Sequence, residues 1–139
     1  MSHAATVSRA VDAPPPRTWR AITTGELAAW FWPPRFATTA QIDPQVGGGL
    51  RIHSEPMAMG VSGEVVELVD GERLLVTWRW DGEGGERLVA IDVAPEGDGS
   101  LVTVVHEGFP TAHEAEEHAQ GWRDCLGRLP AHLEANPGA

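Results

Sequence analysis

The segment HEGFPTAHEAEEHAQGW, residues 106–122, gathers His106, His113 and His118 among glutamates and ends on a Gly-Trp pair. Imidazole and carboxylate groups transfer protons and ligate zinc, so the segment is a candidate acid–base or metal site. Either chemistry needs the side chains to converge. Thr111 and Glu114 have capping-box spacing after Pro110, which predicts a helix beginning near Ala112. At about 100° per residue from Trp122, His113 lies about 180° away, and Glu116 and Glu117 also point outward. His118 falls about 40° from Trp122 and faces inward. His106 belongs to the preceding strand, so His118 alone is expected to face the interior. It is either a hydrogen-bonded wall residue or the polar contact of a ligand in an apolar pocket.

A shared metal on this helix is not expected. His118, Cys125 and His132 recur every seven residues, a rise of about 10.5 Å per step. Zinc ligands lie about 2.0–2.3 Å from the metal. Neither HExxH nor CxxC occurs. The glycines 47–49 lack a GxxxxGK[ST] context and a following helix, so they read as a turn feeding a strand. Ser54, Ser62 and Thr103 have no nucleophile-elbow context. No cofactor is expected. In GEVVELV, either Glu64, Val66 and Leu68 or Val65 and Glu67 face inward. An inward Glu64 would need a partner such as Arg9, Arg51 or Arg79, and with His118 it would make an acid–base pair.

The elements that must position these residues follow from periodicity. Residues 5–12 alternate as a strand, APPPRTWRAITT predicts a helix from about Pro15 to Thr23, and Thr23 with Glu26 predicts a capped second helix over GELAAWF. Short strands then recur between Gly, Pro and Asp turns: FATTAQI, LRIHS, VSGEVVELV, RLLVTWRW, RLVAIDVAP and LVTVVHEG. In the fourth of these, Val76, Trp78 and Trp80 share one face. The C-terminal helix covers that face. Ala115, Ala119, Trp122, Leu126, Leu129 and Leu133 form its apolar stripe, and Pro130 is expected to kink it.

Composition narrows the function. The chain of 139 residues carries a net charge of −10, and all its basic residues are arginines. Such acidity argues against nucleic acid or an anionic membrane as partner, and the absence of lysine removes Schiff-base chemistry. Cys125 is the only cysteine, which excludes an internal disulfide and fits a reducing cytoplasm. Neither a signal-peptide core nor an apolar membrane span is read in the sequence. Length and continuity predict a single domain over residues 1–139, with a core at about 5–135. Trp30 and Trp32 precede a Pro-Pro loop and are placed at a cavity mouth. Met57 and Met59 sit in a loop as adaptable apolar groups.

Strand, two short helices, meander and long helix together resemble the START/Bet v 1-like superfamily. Within it the chain is similar to the branch named after the activator of the heat-shock protein 90 ATPase. VDAPPPRTWRAIT, ELAAW, DPQVGGGLR, GEVVEL with RLLVTWRW, LVTVVHEGF and HAQGWRDCLGRL carry the likeness, in that order. The resemblance implies an α+β helix-grip fold: a curved antiparallel sheet of six to seven strands wrapped around the C-terminal helix, with two short helices after the first strand. It also implies a cavity between sheet and helix, lined here by Trp78, Trp80, His118, Trp122, Leu126 and Leu129, with Trp30, Met57, Met59 and Glu64 as further candidates. A small apolar or amphipathic ligand is the expected partner. The alternatives are a cyclase or hydrolase in the same cavity, or a protein-interaction domain with an exposed patch around Trp30 and Trp32. Many bacterial members have no assigned ligand or reaction. The eukaryotic co-chaperone's other domain is missing, which weighs against a chaperone partner. A homodimer through a sheet edge or helix is compatible with the pattern.

Overall fold

The alternating segments become seven strands of one sheet in the computed structural model, which describes residues 2–138. The chain runs β1 (His3–Val11), α1 (Pro15–Ile22), α2 (Leu27–Trp30), a 3₁₀ turn at Pro34–Phe36, β2 (Thr39–Ile42), β3 (Gly49–Ser54) and β4 (Met59–Val69). It continues through β5 (Arg73–Trp80), β6 (Arg87–Glu96), β7 (Gly99–Phe109), α3 (Ala112–Gly127) and α4 (Leu129–Ala135). The strand order is β1-β7-β6-β5-β4-β3-β2, antiparallel throughout. Six strands form a meander, and β1 closes onto the last of them. The helix-grip α+β fold expected from the sequence is the fold observed, and α3 packs against β1 and β7.

Local chemistry bends the sheet. The β4–β5 register shifts between Val65 and Glu67, leaving Val66 as the extra residue of a bulge. A Cβ at Gly63 would collide with the Thr77 carbonyl, so only glycine permits this close approach. The bulge also resolves the ambiguity in GEVVELV. Val65 is fully buried and Leu68 packs on the core, while Glu64 and Val66 are exposed. No single alternation fits, because the phase changes midway.

The helices depart from expectation at one cap. The Thr23–Glu26 capping box does not form, since Thr23 Oγ1 donates to the Trp19 carbonyl, 2.8 Å away. Thr24 Oγ1 instead accepts from the Glu26 amide, and α2 shortens to Leu27–Trp30. Glu26 Oε2 lies 2.7 Å from Arg17 Nη1 and 2.8 Å from His132 Nε2, joining α1, α2 and α4. Burial raises the Glu26 carboxyl pKa, but the contacts with His132 and Arg17 outweigh this and leave it below its ordinary value. The cap on α3 forms as read: Thr111 Oγ1 accepts from the Glu114 amide at 3.1 Å. Pro130 has its effect one turn early. Its ring would meet the carbonyl of the residue four before it, so α3 stops at Gly127 and Pro130 sits in the first turn of α4. The stripe keeps its phase, with Leu126, Leu129 and Leu133 all buried.

Candidate functional site

Trp78 faces inward from β5 and Trp122 faces it from α3, with ring centroids 5.3 Å apart. Phe31, just beyond α2, meets Trp122 edge-on at 5.7 Å and Trp78 at 6.1 Å. Its neighbour Trp32 stacks on Trp80 at 6.2 Å and 22°. Aromatic rings from three parts of the chain thus line a cavity of about 270 Å³ between sheet and helix. His106, His118, Gly121 and Cys125 complete its wall, and exposed Glu117 stands at the rim. A Cβ at Gly121 would meet no atom within 4 Å, so the missing side chain leaves space there.

His106 is the buried polar centre of this wall, at 1% exposure. Its Nδ1 accepts a 3.1 Å hydrogen bond from Trp122 Nε1. An indole N–H only donates, so Nδ1 carries the lone pair and the neutral ring's proton is on Nε2. Burial, helped by His118 and Arg87 nearby, lowers the His106 pKa to about 3, so it is neutral at pH 7. His118 carries a proton on its other ring nitrogen, Nδ1. Its Nδ1 donates to the Glu114 carbonyl at 3.0 Å, and its ring packs on Phe109 at 4.4 Å and edge-on against His106 at 5.4 Å. Burial pushes the Cys125 thiol up, so it stays protonated and unreactive at neutral pH.

Of the sequence candidates, the structure brings Trp78, Trp80, His118 and Trp122 to the cavity. Leu126 and Leu129 are buried in the core beside it rather than on its wall. Trp30 lies off the cavity: 3% exposed, it donates from Nε1 to the Ala21 carbonyl at 3.0 Å. On a helix, consecutive residues point about 100° apart, so Phe31 reaches the cavity when Trp30 enters the core. With Trp30 buried and Trp32 half-buried, the exposed patch expected around them is not found. Met57 is 45% exposed in the turn between β3 and β4, and Met59 is half-buried at the start of β4. Glu64 is exposed on β4, away from the cavity wall, so it does not pair with His118 there.

Trp32, expected at the cavity mouth with Trp30, does line the cavity, whereas His106, Phe31, Gly121, Cys125 and Glu117 are wall residues that the sequence reading does not single out. The signal for His106 was present: Val102, Val104 and His106 alternate on β7, and all three are buried. Helical angles single out His118 because they apply only to α3, whereas His106 faces inward from β7. Among the described residues, no three His, Cys, Asp or Glu side chains gather as a metal site, and no helix is long and apolar enough to cross a membrane.

Comparison with known proteins places this geometry. Protein CV1439 from Chromobacterium violaceum is 30% identical, with a TM-score of 0.77 over 94% of this chain and 96% of that one. DynU16, from the dynemicin biosynthetic locus, is 25% identical with a TM-score of 0.78, over 94% of this chain and 47% of its own. Protein MLL2253 from Mesorhizobium loti shares the fold at 20% identity, with a TM-score of 0.79 and coverage of 96% and 98%. No curated protein matches the chain. The model of the Activator of Hsp90 ATPase homolog 1-like protein family matches residues 12–134, and the chain belongs to that family.

Proposed function

We propose that the chain binds a small apolar or amphipathic molecule between β5, β7 and α3. The observation that carries this reading is the aromatic-walled cavity of about 270 Å³, near the roughly 300 Å³ lower end of small-molecule pockets. Trp78, Trp80, Trp122, Phe31 and Trp32 supply rigid apolar area, and Gly121 leaves the space beside them open. The origin of DynU16 in a biosynthetic locus accords with a small-molecule ligand. The lone buried Cys125 accords with a cytoplasmic protein, which fractionation of cells would check.

Native mass spectrometry of the purified chain, followed by extraction of whatever is bound, tests the reading. A stoichiometric small molecule is expected, or, if the protein purifies empty, saturable displacement of an apolar dye. Trp122→Ala should weaken either by about tenfold or more, because it removes a central wall. A bare mass together with no dye binding would rule out the cavity as a binding site.

A further inference from the structure

The cavity wall holds several ring nitrogens, and they differ in whether a ligand can reach them. Trp122 Nε1 is spent on His106 Nδ1. Trp78 Nε1, Trp80 Nε1 and His106 Nε2 are sealed from water and present nothing to an entering molecule. His118 is different. It lines the same cavity but is only half-buried. Its Nδ1 is held by the Glu114 carbonyl at 3.0 Å, and Phe109 packs on its ring at 4.4 Å. Its Nε2 has no hydrogen-bond partner among the described residues, and unlike the three sealed nitrogens it is open to solvent.

The tautomer fixes what this open atom can do. A backbone carbonyl only accepts, so Nδ1 carries the proton, and in the neutral ring Nε2 keeps its lone pair as an acceptor. The other side chains of the wall add no strong donor. Glu117 is a carboxylate, which accepts only, and the Cys125 thiol is a weak donor and buried. No arginine lines the cavity of this chain of net charge −10, so a carboxylate or phosphate would lose its water with no cation to receive it.

We infer that the cavity takes a small apolar ring system bearing an uncharged O–H donor, of the phenol class, whose hydroxyl donates to His118 Nε2. This rests on the binding function proposed above and adds the polarity of the ligand to it. The rings of Phe31, Trp78 and Trp122 receive the apolar body. A ligand without a donor would strip water from Nε2 and return nothing.

Two probes of nearly one shape test this: 2-naphthol and 2-methylnaphthalene, in which a methyl group replaces the hydroxyl. Their dissociation constants are measured by dye displacement on the intact chain, at a pH where nitrogen NMR shows a neutral His118 ring. Because the methyl compound is the more hydrophobic, the informative quantity is the ratio of the two constants in wild type against His118→Phe, which keeps a ring and deletes the acceptor. The preference for the naphthol is expected to drop about tenfold in the variant. In the wild type, 2-naphthol should also move the Nε2 resonance of His118 from that of a free lone pair toward that of a hydrogen-bonded nitrogen, and 2-methylnaphthalene should not. A ratio unchanged in His118→Phe, or an Nε2 resonance that the naphthol leaves in place, would overturn the assignment and leave apolar binding intact. If neither probe binds, the binding reading falls and this one with it. The resonance of the wild type decides even if the variant fails to fold.

Discussion

At the scale of single residues, His106 is where burial and tautomer combine. Folding takes its imidazole from an ordinary pKa of 6.5 to about 3, chiefly by burial. The sign follows from proton binding. Between pH 6.5 and 3 the unfolded state binds the proton and the folded state does not, so stability falls as the pH falls. The slope approaches about 1.4 kcal/mol per pH unit, or on the order of 2 kcal/mol from pH 6.5 to 5. Glu26, whose pKa is lowered by folding, contributes a loss of the same sign that begins only near its ordinary value of 4.5. The window above pH 5 therefore isolates the histidine. Urea unfolding at pH 7, 6 and 5 should show this loss in the wild type and a nearly flat profile in His106→Asn. A wild-type profile as flat as the variant's would remove His106 as the cause. His118 could be assigned inward by helical angles, whereas His106 needed a second alternation on β7 and the knowledge that both face the same cavity.

At the scale of elements, α3 both covers the sheet and makes room. Its stripe from Ala115 to Leu126 is apolar at helical spacing and buried throughout, so it is legible from residue order alone. Gly121 breaks the logic of a helix, costing up to about 1 kcal/mol relative to alanine. Its presence in the interior of α3, next to Trp122 and bordering the cavity, makes sense if the space is used. Gly121→Ala should stabilise the protein by about 0.5–1 kcal/mol, since its Cβ meets nothing within 4 Å. Differential scanning calorimetry would read this as a rise in Tm of a few degrees. Gly121→Leu should fold and yet lose dye binding by at least about tenfold, because the side chain occupies the opening. Retained binding in Gly121→Leu would place the ligand elsewhere. The β4 bulge shows the complementary limit of a sequence reading. Periodicity assumes one phase per strand, and Val66 changes the phase inside one.

At the scale of the whole molecule, the cavity depends on contacts between segments far apart in the chain. Composition and periodicity anticipated the sheet and its covering helix, because those signals are local. They placed Trp30 and Trp32 together at the cavity mouth but could not show that Phe31 rather than Trp30 joins Trp32 in closing it, since that depends on where α2 is held. Arg128, at the junction of α3 and α4, donates from Nε to the Trp30 carbonyl at 3.0 Å and from Nη2 to the Phe31 carbonyl at 2.6 Å. These are the last carbonyls of α2, which a helix leaves unpaired and which attract a cation. Arg128 itself lines none of the cavity. Removing it should therefore act on binding only through the wall it anchors. Arg128→Ala is expected to cost on the order of 1–3 kcal/mol in stability, because two carbonyls lose a charged donor. The apparent affinity for an apolar dye should fall several-fold, in proportion to the fraction of molecules whose Phe31 and Trp32 remain in place. Saturating dye should then restore part of the lost Tm in the variant, because binding favours the ordered wall. Unchanged dye affinity in a destabilised Arg128→Ala would show that the α2 segment is not a functional wall of the site.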